Sequence, residues 1–127
     1  KVRLIGIDTP EKYDSDKLDR ESDMTGRDKE TIKKLGEAAS EYVRKLVEGK
    51  RVTLVSESGY EDKDKYNRLL RYVYLEDGTF VNARIIGDGY ANVYNAAAVS
   101  KINEFKRLER EARENKRGLW GEVNGLR

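Results

Sequence analysis

Cysteine and histidine are both absent from this 127-residue chain, and proline, methionine and tryptophan occur once each. The first two absences exclude the most, because zinc sites, thiol nucleophiles and histidine general bases each need one or the other. Any catalysis must therefore run on carboxylates, arginines, lysines, tyrosines and a bound ion. Oxygen donors of this kind favour a hard cation such as calcium or magnesium. No apolar run approaches a membrane span, and no charged-then-apolar leader stands at Lys1. The reading is no membrane partner and no visible signal peptide, with the compartment open between secreted and cytoplasmic. The absence of methionine at position 1 points to something removed upstream. Charge of one sign is scarce too: 26 Lys+Arg face 24 Asp+Glu, for a net +2. Bulk electrostatics thus do not announce a nucleic-acid binder, and a local phosphate site would have to do that work.

What is present is polar, with 37% hydrophobic and 39% charged residues, but the apolar residues fall in periodic groups. The length suits one core, so residues 1–127 are read as a single domain. Residues 2–7 (VRLIGI), 52–55 (VTLV) and 69–75 (LLRYVYL) are β-branched, leucine-rich or aromatic runs that predict strands, the last followed by an Asp77-Gly78 turn. Ile32, Leu35, Ala39, Tyr42, Val43, Leu46 and Val47 recur at helical spacing and stop before Gly49. A short helix is predicted from about Val81 to Asp88, ended by Gly89, with an extended piece from Tyr90 to Tyr94. A third helix is predicted from a Ser100 N-cap to Gly118, with Ile102, Phe105, Leu108 and Ala112 on one face. Its seven basic residues from Lys101 to Arg117 read as a solvated face. Residues 12–29 mix five aspartates with Ser, Thr, Gly and basic residues without periodicity, which predicts a long mobile loop. The architecture expected from this order is a small barrel decorated by helices.

Two clusters carry chemistry. Arg3 alternates with Ile5 and Ile7, so its guanidinium leaves an apolar setting and needs an anionic partner. At the end of that strand comes Asp8-Thr9-Pro10-Glu11, where the proline stiffens the turn that holds two carboxylates. Such a turn suits a metal ligand and a base positioned before substrate arrives. The bland alternative is a helix start with Thr9 as N-cap and Pro10 as first helical residue, but residues 12–20 offer no amphipathic body to bury. The second cluster, Asp64-Lys65-Tyr66-Asn67-Arg68, reads in isolation as a polar turn. Beside the first it supplies two cations and an aromatic ring able to contact a phosphate or base.

The string Arg3-Leu4-Ile5-Gly6-Ile7-Asp8-Thr9-Pro10-Glu11, then Asp64-Lys65-Tyr66-Asn67-Arg68-Leu69, Val81-Asn82, Asp88-Gly89-Tyr90-Ala91 and Gly118-Leu119-Trp120 resemble, in order, the signatures of staphylococcal nuclease-like domains. The resemblance implies an α+β, mainly β fold, an OB-type five-stranded barrel with three helices. It implies a calcium-dependent nuclease that hydrolyses DNA and RNA with little sequence specificity. Asp8, aided by the Thr9 carbonyl, would hold calcium, Glu11 would be the base for the attacking water, and Arg3 and Arg68 would bind the reacting phosphate. Lys65 and Tyr66 would hold a neighbouring phosphate.

Two departures accompany the likeness. The family's first hairpin, commonly with a D-G-D-T motif that adds a calcium-binding aspartate, precedes the Arg3 strand and does not occur here. The expectation is an N-terminally incomplete domain, monomeric, with dimerisation through an open strand edge if the hairpin is truly absent. The segment after Glu11 is also longer than in the staphylococcal enzyme. The rival function is a non-catalytic OB-type module that binds nucleic acid or protein. Retention of Arg3, Asp8, Glu11 and Arg68 together argues against it. A generic single-strand-binding OB fold would show more strand aromatics and a more basic balance.

Overall fold

The computed structural model describes residues 1–10, 16–26, 28–94 and 98–121. In chain order the elements are β1 (Val2–Leu4), β2 (Ile7–Asp8), α1 (Asp16–Thr25), α2 (Lys29–Val47), β3 (Val52–Val55), β4 (Leu69–Leu75), α3 (Val81–Gly87), β5 (Asn92–Val93) and α4 (Ile102–Glu114), then a 3-10 turn (Gly118–Gly121). β4 is the centre of one sheet, with β1 parallel on one side and β3 antiparallel on the other, while β2 and β5 form a separate antiparallel pair. The fold is α+β, but not mainly β: among the described residues, helical positions outnumber strand positions because four helices pack around short strands. The described strands form these two sheets rather than one closed barrel.

The single strand expected over residues 2–7 is two strands broken at Gly6, and the cause is packing against a distant residue. Gly6 adopts φ +81°, and a Cβ there would stand 2.6 Å and 2.8 Å from ring carbons of Phe105. Phe105 is fully buried at the centre of the aromatic core, edge-on to Tyr72 with ring centroids 6.3 Å apart. The chain therefore switches its pairing partner from β4 to β5 at this point. Ile5 N–H still donates to Arg71 O at 3.1 Å, whereas Gly6 O accepts from Tyr94 N–H at 2.8 Å. Asn82, buried at the start of α3, clamps the junction: its Oδ1 accepts from Val73 N–H at 2.9 Å and its Nδ2 donates to Ile5 O at 3.0 Å. Gly6→Ala should therefore cost at least about 2 kcal/mol, from left-handed backbone strain plus overpacking. A thermal melt should show Tm lower by about 5–10 °C. An unchanged melt would mean that the junction has no need of glycine.

The predicted loop over 12–29 is corrected. Residues 16–25 form α1, in which Leu18 alone among the described side chains is buried, and the helix packs against α2. A helix with one buried anchor shows no apolar stripe. Its end was legible in Gly26, at φ +72°, whose N–H donates to Ser22 O at 3.0 Å. The α2 prediction holds, with Ile32, Leu35, Gly36 and Ala39 buried and Asp28 Oδ1 accepting from Thr31 N–H at 2.7 Å as N-cap. The α3 prediction holds as well. It ends before Gly89, whose φ of +88° and close approach to the Arg117 carbonyl leave no room for a side chain.

α4 begins at Ile102, two residues later than the expected cap, and Ser100 is engaged elsewhere. Its N–H and Oγ donate to Glu57 Oε1 at 3.1 Å and 2.9 Å, and the same oxygen accepts from Tyr72 Oη at 2.5 Å. The Tyr72 hydrogen bond leads the effects that hold the Glu57 carboxyl below the usual range. Phe105 and Ala112 are the buried side of α4, while Lys106, Arg107, Arg110, Arg113, Lys116 and Arg117 are exposed, the solvated face read from the sequence. Among the described residues no helix is long and apolar enough to cross a membrane.

Candidate nucleic-acid interface

The parallel pairing of β1 with β4 places Arg3 beside Leu70 and puts the end of the 56–68 loop at the start of β1, where Leu69 N–H donates to Lys1 O at 2.9 Å. Arg68 thus enters β4 alongside the strand that carries Arg3. The Arg3 guanidinium donates to Leu4 O at 2.9 Å and lies 6.0 Å from the ring centre of Tyr94. No described carboxylate is ion-paired with it, so the anionic partner expected from the sequence is not found among the described residues.

Tyr94 connects this arginine to the second sheet. In the β2–β5 pair Ile7 opposes Val93, both buried, and Asp8 opposes Asn92. Side chains alternate along strands, so Asp8 and Asn92 lie on the face opposite to Ile7 and Val93, and Tyr94 follows on that same face. Asp8 and Thr9 are half-buried and Pro10 is buried, which anchors the turn. Thr9 and Pro10 are themselves neither helical nor strand. Glu11 lies outside the described residues. As a cation site this turn offers hard oxygen donors, the Asp8 carboxylate and the Thr9 carbonyl, which suit calcium by their chemistry. They supply only part of the six to eight oxygens such an ion takes, and no group of three or more acidic, His or Cys residues gathers among the described residues. Water, substrate oxygens and residues outside the described set would have to complete the shell.

Lys65, Tyr66 and Arg68 are brought together as one patch. Tyr66 is 68% exposed, with Lys65 Nζ 5.2 Å and Arg68 Cζ 5.5 Å from its ring centre. Asp64, given no role on sequence grounds, organises the patch. Its Oδ1 accepts the N–H groups of Tyr66 and Arg68, each at 2.9 Å, and its Oδ2 accepts Arg68 Nε–H at 2.7 Å. Partial burial pushes the Asp64 carboxyl up, but the hydrogen bonds from Arg68 and Tyr66 prevail and hold it below its ordinary value. Asn67 closes the turn at φ +64°, a conformation that asparagine tolerates better than most side chains. Arg71 secures the loop's base, donating to Asp62 Oδ1 at 2.7 Å and to Asp62 O at 3.2 Å. Tyr94 and Arg71 were also missed as contributors. The signal for Asp64 was a carboxylate four residues before an arginine across an Asn-containing turn.

A family model described as staphylococcal nuclease homologue matches residues 1–122. An uncharacterized protein of Methanocaldococcus jannaschii is 33% identical over 130 residues, covering 98% of this chain and 62% of its own length. An uncharacterized endonuclease of Escherichia coli O157:H7 is 33% identical over 124 residues, covering 98% of this chain and 65% of its own. Endonuclease YhcR of Bacillus subtilis is 29% identical over 130 residues, which is 99% of this chain but 10% of that protein. The chain spans less than two thirds of the length of each of these relatives.

Proposed function

Since the chain belongs to the staphylococcal nuclease homologue family, we propose that it hydrolyses phosphodiester bonds of DNA and RNA, with calcium and with little sequence specificity. What supports this reading beside the family is topology: β1, which carries Arg3, pairs in parallel with the start of β4 next to Arg68, and the Arg3 guanidinium lies 6.0 Å from the ring of Tyr94, which follows the β5 partner of the strand that bears Asp8. Within the same reading, the two sheets joined at Gly6 are portions of an OB-type barrel.

Asp8 and the Thr9 carbonyl would hold the calcium, which when bound supplies positive charge to phosphate oxygens. Arg3 and Arg68 grip the scissile phosphate and neutralise charge that builds as water attacks. Glu11 accepts the proton of that water. Lys65 and Tyr66 hold a neighbouring phosphate, and the Tyr66 and Tyr94 rings offer faces to bases without selecting among them. Phosphate contacts carry no sequence information, so cleavage is unselective.

The test is cleavage of labelled single-stranded DNA and RNA by the full protein, in chelator and with calcium or magnesium restored. Both substrates should be cut in calcium and at least about tenfold more slowly in chelator, with recovery on calcium addition. Full activity in chelator would remove the metal from the mechanism. Binding without cleavage in calcium would make the domain a recognition module.

A further inference from the structure

Asp64 takes no part in the chemistry just described, yet its carboxylate accepts three N–H groups. Two come from the backbone and one from the Arg68 guanidinium, and the Asp64 side chain is 18% exposed against 37% for Arg68. We propose that Asp64 is the positioning residue for Arg68, holding Nε–H so that the terminal Nη1 and Nη2 edge is presented to a substrate phosphate.

An arginine at the end of a loop has many rotamers, and only a few offer two parallel N–H bonds to a phosphate. Capture of Nε by Asp64 Oδ2 removes most of them before substrate arrives. It also leaves the terminal nitrogens available: among the described residues, Asp64 is the guanidinium's one hydrogen-bond partner. The Tyr66 ring, 5.5 Å from Cζ, limits the remaining rotation. Asp64 Oδ1 separately sets the turn through the Tyr66 and Arg68 N–H groups, so each oxygen has its own task. Asparagine can keep the first task with its carbonyl oxygen, but turns an NH2 group towards Nε–H and loses the second.

The inference rests on the proposed nuclease reading, and a double-mutant cycle separates the two. Turnover and KM on single-stranded DNA in calcium are measured for the parent, Asp64→Asn, Arg68→Lys and the pair. Asp64→Asn should lower kcat about tenfold with KM altered less than about threefold, and should cost less than about twofold once Arg68 is lysine. The Arg68 Nε–H signal in 15N NMR should be slow to exchange in the parent and fast in Asp64→Asn. Equal losses in both arginine backgrounds, or an Nε–H signal unchanged by Asp64→Asn, would overturn the proposal. If the parent itself does not cleave, the nuclease reading fails, while the NMR signal still decides whether Asp64 orders Arg68. Should Asp64→Asn melt below the working temperature, Asp64→Glu substitutes for it. That variant keeps the charge but moves it by one methylene, and its smaller loss should likewise vanish when Arg68 is lysine.

Discussion

Glu11→Gln should fold as the parent does and cleave phosphodiesters at least about a hundredfold more slowly, since general-base assistance is typically worth ~10² to 10⁴. The substitution is close to isosteric and leaves Asp8 and Thr9 untouched, so calcium and substrate affinity should change far less than turnover. The rationale begins in the backbone. Pro10 is buried at the end of the β2 turn and stiffens the backbone of the motif, while Glu11 itself lies outside the described residues. In the proposed reading the Glu11 carboxylate takes the proton of the attacking water, while Asp8 and the Thr9 carbonyl would hold the cation and the arginines bind the phosphate. Steady-state kinetics beside a calcium-binding isotherm check the expectation. Near-normal turnover in a folded Glu11→Gln protein would take Glu11 out of the mechanism.

The arginines should show a comparable effect of different origin. Arg68→Lys should reduce turnover by at least ~10²-fold while changing nucleic-acid affinity much less, because the lost fork of N–H donors matters most when the phosphate carries its greatest charge. Lysine keeps the charge but offers no Nε–H to Asp64 and no bidentate edge. Arg3→Lys should lose as much activity. It also removes a donor to the Leu4 carbonyl and a cation from the Tyr94 ring, so its kinetics need a thermal melt alongside. A folded Arg68→Lys protein that cleaves at the parent rate would contradict the assigned chemistry.

How much of this was legible in the sequence depends on where each residue's partner lies. α2 and α3 could be read because their apolar residues keep helical spacing and glycines mark their ends. α1 could not, because Leu18 alone among its described side chains is buried. The break at Gly6 was invisible locally, since the apolar run continues through it and the reason is Phe105 on α4. Ser100 is a residue type that caps helices, but its N–H and Oγ donate to Glu57, far away in sequence, in an exposed contact instead. At the candidate site, the motif supplied residue types and the fold supplied relations. The β1–β4 register brings the Arg68 loop to Arg3, the β2–β5 register turns Asp8 to the face shared with Tyr94, and Asp64 binds the loop from within.

The most direct test of the central claim is multiple-turnover cleavage by the full protein, in calcium, of single-stranded oligonucleotides of unrelated sequence, with affinity measured on the same substrates. The account predicts that every sequence is cut at comparable rates and that product far exceeds enzyme. Saturable binding with intact substrate throughout, in calcium and with a folded protein, would contradict it.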